Sequence, residues 1–404
     1  MTSPWRRRLE DFGKLIQVAD EAYFEPEDFR RAFNAALQTA RTVTFLLQKN
    51  KATIPGFDDL HKRLIKDGLG SDPVMKWMIE ARNTVEKEGD LATYSAMRAR
   101  VIASHTDDTP WMDAESEEVL FAGTLALQRM WSKRTPDWYA ESSVLVIERR
   151  WVANTLPEHE LLDALIHGHR RLGTVVDAMD QAAGFQPAKM VDMTGAGSAM
   201  RKVFIKLSDG RTYAAHQAEI PLTPARAEQA RARYGGLNTR FLDPALSVSE
   251  HVEAWADLAC TLFNKDGYHN AMYMLFGREG KPLKFGHVAP ADRAEKYLFW
   301  RLMGDLALAN PDFHALFYID EVWVREVGSA AWDGNVESAP ITGEQLVVWG
   351  EAEDGERHEL RFPIRRDGEA ATVDRTITAP QLEGATMNML DALRHAWAVR
   401  THSG

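Results

Sequence analysis

The feature that most constrains this chain is a change of periodicity near its middle. Before about residue 184, apolar residues recur at intervals of three and four; after about residue 200, short apolar runs are separated by tight-turn pairs. The two patterns build different elements. A helix turns successive side chains through about 100°, whereas a strand alternates them between faces. The chain is therefore expected to be α+β overall. Residues 1–185 read as an all-α bundle, 186–200 as a linker, and 201–404 as an α+β domain with a mostly antiparallel sheet. Length agrees with a division, because 404 residues exceed the size at which single hydrophobic cores stop growing.

The helical part opens on a run in which Phe29, Phe33, Ala36, Leu37, Ala40 and Val43 share one face. Pro26, Glu27 and Asp28 suit its first turn, where Pro has no N–H to waste and acids meet the helix dipole. Asp72 and Pro73 open a second helix with Val74, Trp77, Met78, Ala81 and Val85 on one face, closed by Gly89. Two more helices are predicted over residues 114–132 and 158–183. Residues 142–153 begin as a strand would, and their apolar run fits a buried helix segment equally. Beyond the Gly- and Pro-containing stretch 184–200, hairpins are predicted around Asp209-Gly210, around residues 277–280 and around Asp354-Gly355. Helices over 252–262 and 291–310 and strands over 315–325 and 372–378 complete the second part.

Charge and cysteine count narrow the function classes. The formal net charge is −11, so no whole-surface attraction to phosphate is expected. The single cysteine, Cys260, can form neither an internal disulfide nor a multi-thiolate zinc site, and it fits a reducing, cytoplasmic compartment. No apolar run reaches membrane-spanning length, and the opening residues lack the apolar stretch of a secretory signal. The 12 tryptophans are dispersed, which favours packing over a single aromatic platform.

The sharpest constellation is Arg82-Asn83, followed by Glu86, Lys87 and Glu88 late on a predicted helix. An Arg-Asn pair at that place in a helical bundle resembles the HEPN family over roughly residues 20–135. That family comprises helical domains of RNA-cutting toxins and defence proteins, together with non-catalytic nucleic-acid-binding relatives. Its pattern is Arg, a polar residue, and a His four to six residues after the Arg. The resemblance implies that Arg82 would stabilise a phosphate, Asn83 would orient it, and a histidine would move the proton of a ribose hydroxyl. Here no histidine occupies the window, so Lys87 or the distant His105 would have to replace it. The residues alone also fit a solvated helix end with Arg82 paired to Glu86 at i, i+4.

Three other sets carry residue types that chemistry could use. His167 and His169, two apart on a helix, point to different faces and are not expected to chelate one ion. Gly195 and Gly197 lack the lysine and the third glycine of a phosphate loop, and read as linker. In the second part, Asp320 and Glu321 sit inside an apolar strand, so one of them is expected to point inward. With His287 they form a possible second site, as in a metal-dependent hydrolase. No cofactor is implied, and the metal of such a site is left open.

No complete catalytic set is spelled out. The expected class is a bacterial or phage-type accessory protein, a non-enzymatic module that binds protein or RNA, without membrane contact and with a homodimer possible. An RNA-directed nuclease and a metal-dependent hydrolase are the alternatives.

Overall fold

The computed structural model describes residues 2–403 except 90, 92, 106–108, 115, 187–192, 194, 196, 198, 214–227, 230–231, 236–239, 289, 327–338, 369 and 380–387. It forms two compact units. The first holds Met1–Ile102 and Asp108–Tyr213; the second holds Ala103–Asp107 and Ala214–Gly404.

In the first unit four long helices share one core: α1 (Pro4–Glu21), α2 (Pro26–Lys49), α4 (Pro73–Glu88) and α8 (Leu161–Ala182). Short α3 (Phe57–Leu60) runs into a wider π-helical turn, His61–Gly68. Asp72 caps α4 as expected, its Oδ1 accepting from the N–H groups of Val74 and Met75 at 3.0 and 3.2 Å. Helix α1 is pinned to α8 through buried Asp180. That carboxylate accepts from the Ser3 hydroxyl (2.7 Å), the Trp5 indole (2.6 Å) and Arg6 Nε (2.8 Å).

This unit is helix-rich, as expected, but not all-α. Strands β1 (Thr93–Ile102), β2 (Met112–Asp113), β3 (Val144–Ala153), β4 (Arg201–Lys206) and β5 (Thr212–Tyr213) form an antiparallel sheet in the order β2-β1-β3-β4-β5. The open reading of residues 142–153 resolves to a strand. Every residue of β3 except Arg150 is buried, so its pattern is the continuous apolar run of a central strand. Met97, Ala99, Val101, Leu145, Ile147 and Ile205 pack from one face of the sheet against α6 (Thr124–Ser132) and α7 (Asp137–Ala140). The single helix expected over 114–132 is two, α5 (Glu117–Leu120) and α6, separated at residues 121–123. The expected start of the second part at 201 also moves. Strand β4 hydrogen-bonds to β3, so the first unit continues through Tyr213. Most of the 186–200 stretch lies outside the described residues.

The second unit is α+β with an antiparallel sheet, as expected. Its strands are β6 (Met272–Gly277), β7 (Pro282–His287), β8 (Phe313–Arg325), β9 (Ile341–Ala352), β10 (Arg357–Asp367) and β11 (Ala370–Val373), in the order β11-β10-β9-β8-β6-β7. Helix α9 (Val248–Asp266) covers one face, packing Val252, Trp255 and Phe263 onto Met274, Phe317, Ile319 and Val348. Helices α10 (Arg293–Ala309) and α11 (Asp391–Ser403) cover the other, packing Trp300, Met303 and Trp397 onto Leu316, Tyr318 and Trp349. The sheet alternation decides which strand residues face which helix layer. Among the described residues no helix is long and apolar enough to cross a membrane.

Candidate functional site

Arg82, Asn83 and Lys87 lie on the last turns of α4. Ala81 and Val85 of the same turns are buried, which turns Asn83 and Lys87 out to solvent. The Arg82 guanidinium pairs with Glu86, and its Nη1 donates to Asn83 Oδ1 at 3.1 Å. His105 belongs to the second unit, where its ring meets Tyr297 edge-on at 4.6 Å. Burial pushes the His105 pKa down to about 4, aided by the charges of Lys296, Arg301 and Arg293.

Asp320 and Glu321 do point to opposite faces of β8. Asp320 faces the α10 layer: its Oδ2 accepts from the Tyr318 hydroxyl at 3.3 Å and lies 3.6 Å from Lys296 Nζ. Burial raises its pKa, and the ammonium of Lys296 opposes the rise. Glu321 accepts from the His269 backbone N–H and lies 3.8 Å from Arg366. His287 does not join Asp320. Met272 pairs with both His287 and Ile319, and cross-strand partners share a face, so His287 faces away from Asp320. It shares Glu321's face but stands two strands away, roughly 10 Å across the sheet. Among the described residues no group of three or more His, Cys, Asp or Glu is placed to hold a metal ion.

His167 and His169 diverge, as their spacing predicts. His167 Nε2 lies 2.7 Å from Asp72 Oδ2, and Arg171 Nε lies 3.1 Å from the same oxygen. Burial works against that carboxylate, but the His167 contact and the Met75 N–H hold it below its usual range. His169 is buried against Phe12. Gly197 donates to Asp163 Oδ2 at 2.6 Å, a loop contact rather than an open phosphate cradle.

One cavity on the first unit is lined by residues that the sequence reading did not assemble. It measures about 470 Å³, inside the range of about 300–1,000 Å³ of small-molecule pockets. Val101, Thr109, Pro110 and Met112 form one wall; Trp131, Arg134, Thr135, Pro136, Trp138 and Tyr139 form the other. The second wall follows from how α6 ends. Its last carbonyls are taken by the next residues: Arg134 N–H and Thr135 Oγ1 both donate to the Trp131 carbonyl, at 3.0 and 2.9 Å. Pro136 then stands at the N-cap of α7, whose second residue, Trp138, points outward. Trp138 is 75% exposed and stands edge-on to Tyr139 with centroids 5.6 Å apart. So exposed a ring leaves a large apolar face open to solvent beside the cavity. On the first wall the Thr109 hydroxyl accepts from the Val101 N–H and donates to its carbonyl, both at 2.8 Å. That hydroxyl's one proton is thereby engaged, and the cavity presents mainly rings and the Arg134 guanidinium. Beside it, Trp111 lies under two guanidiniums, Arg98 and Arg100, each 4.5 Å from the ring centroid.

Comparison with known proteins bears on the whole chain. A family model described as bacteriophage lambda protein ea47 matches residues 2–402. Protein ea47 of Escherichia phage lambda is 32% identical over 378 residues, covering 91% of this chain and 90% of its own. No solved structure matches. A match that spans both units joins them as one inherited pair, and the chain belongs to the phage lambda ea47 family.

Proposed function

We propose that this phage-type protein is a non-enzymatic binding module and that the aromatic cavity of the first unit receives its partner. The carrying observation is the convergence of Trp131, Trp138 and Tyr139 on one cavity with the Trp138 ring open to solvent. Ligand sites are characteristically concave and apolar with few polar groups, and this cavity has that composition. The catalytic alternatives draw less support. A nuclease reading needs Arg82 available to a phosphate, and its guanidinium is engaged by Glu86. A hydrolase reading needs His287 beside Asp320, and the register sets them on opposite faces.

The test is ligand-observed NMR with small aromatic fragments such as indole and purine. Saturation transfer to the fragments is expected with the native protein and is expected to disappear in Trp138→Ala. Equal transfer in both proteins removes the cavity as the site. RNA degradation that vanishes in Arg82→Ala overturns the non-enzymatic reading.

A further inference from the structure

The walls and rim of this cavity identify a chemical class of occupant: we propose that it takes an unpaired base of a single-stranded nucleic acid. The inference rests on the reading of the cavity as the binding site and deepens it.

Two independent observations carry it. The first is the lining. Trp131, Trp138 and Tyr139 offer flat aromatic surfaces, and the Thr109 hydroxyl has no proton left to donate to a ligand. Such walls hold a planar ring without choosing among ring substituents, and all bases share that π-face. The second is the charge carried by the same stretch of chain, of which Arg134 itself lines the cavity. Arg129, Lys133 and Arg134 are exposed on the stretch that also carries Trp131, and none makes an ion pair among the described residues. Asp137 is the acid nearest to them in sequence. On the strand side, Pro110 and Met112 line the cavity, and Trp111 between them bears the guanidiniums of Arg98 and Arg100. Arg98 also pairs with Glu148 at 2.5 Å, so its charge is shared.

The rest of the chain sharpens the point. At a net charge of −11 the surface as a whole repels phosphate. A run of exposed cations on the stretch that supplies the cavity's rings is therefore a local departure, and it matches the two parts of a nucleotide: ring for ring, cation for phosphate. A neutral peptide with proline or aromatic side chains would fill the walls but leave the cations without a role.

The experiment uses the full chain and fluorescence anisotropy. Probes are fluorescein-labelled RNA and DNA single strands of mixed sequence, about 12 nucleotides long, within the span of known single-strand grooves. A duplex of the same sequence and a neutral Pro- and Trp-containing peptide are the comparison arms. Either single strand is expected to bind at low salt, and the duplex at least about fivefold more weakly, because its bases cannot leave the stack freely. Trp138→Ala is expected to weaken single-strand binding roughly tenfold, the usual loss for one stacking ring. Its circular dichroism should match the native protein, since the ring is exposed. Lys133→Glu with Arg134→Glu should weaken binding further and flatten its salt dependence. The proposal is overturned if neither single strand binds, or if Trp138→Ala binds them as the native chain does. Peptide binding that depends on Trp138, with no oligonucleotide binding, overturns the nucleic-acid inference and leaves the cavity reading intact. If no probe and no aromatic fragment responds to Trp138→Ala, both fall.

Discussion

Glu160 is 1% exposed, yet it is a carboxylate at the start of α8, accepting from the Asp163 N–H at 2.9 Å and from the Tyr23 hydroxyl at 3.2 Å. Burial raises its pKa to about 7 from a free value of 4.5; the nearby charge of Asp163 adds to this, and its N–H, Arg201 and Tyr23 oppose it. Between those two values the native state holds more protons than the unfolded chain, so stability falls as pH rises through that window. The total loss is about 3 kcal/mol, as an order of magnitude. Glu160→Gln keeps a carbonyl for Asp163, and its amide can donate to Tyr23, whose hydroxyl can still donate to the Arg149 carbonyl 3.3 Å away. The variant should therefore be more stable than the native protein at pH 8 and equal to it near pH 4.5, measured as urea midpoints; parallel pH curves for both would refute this. Of the candidate sites, the residue scale was only half legible. The pairing of Arg82 with Glu86 was legible because its environment is local: i, i+4 spacing alone brings the two together. The aromatic cavity did not read, because Trp131 and Trp138 meet Val101, Thr109, Pro110 and Met112 only after β1 has paired and α6 has packed on it. What the sequence did hold was the local cue of Trp131, Lys133, Arg134, Trp138 and Tyr139 within one short stretch.

Among the elements, β3 organises the first unit, and Arg149 shows how. Its side chain is fully buried; Nη1 donates to the Phe24 carbonyl at 3.3 Å and Nη2 to the Ala122 carbonyl at 2.7 Å. One guanidinium thus ties β3 to the turn before α2 and to the turn before α6. Burial pushes its pKa down to about 10, with Glu25's charge opposing, so it stays charged at neutral pH. Arg149→Ala should cost about 3 kcal/mol, because two buried carbonyls lose their donor. Arg149→Lys should recover little of this, since a point ammonium cannot span two carbonyls as a planar fork does. Chemical denaturation checks both, and a change below about 0.5 kcal/mol for the alanine variant would show the fork to be dispensable. Elements whose pattern is unambiguous were legible in advance: the three hairpins of residues 201–213, 272–287 and 341–367 all form where turn pairs sit between apolar runs. Strand β1 was not, although Met97, Ala99 and Val101 alternate with Arg98 and Arg100. Ala, Met and Arg are good helix formers, and their local preference masks the alternation until β3 supplies a partner.

At the scale of the whole molecule the question is where one unit ends. Gly184, Pro187, Gly195 and Gly197 have the composition of a linker, and composition alone cannot separate a linker from a loop inside a unit. The deciding fact is long-range. Residues Arg201–Lys206 pair with β3 in register, Val144 opposite Lys206 and Arg149 opposite Arg201, across the whole length of α8. Ile205 adds a fully buried side chain to the same core. A chain cut at 200 would leave β3, buried on nearly every residue, as an unpaired apolar edge, which is the condition that drives strand-to-strand aggregation. A chain cut at 213 keeps that edge covered by β4 and β5. The fragment 1–213 is therefore expected to be monodisperse by size exclusion and to unfold in one cooperative transition. The fragment 1–200 is expected to aggregate, or to melt without a transition. Equal behaviour of the two fragments would place the boundary at the glycine-rich stretch after all. Because the family match runs through both units, the same cut should divide the phage lambda relative at the aligned position, and repeating the pair of fragments there tests whether β4 pairing is a property of the family or of this chain.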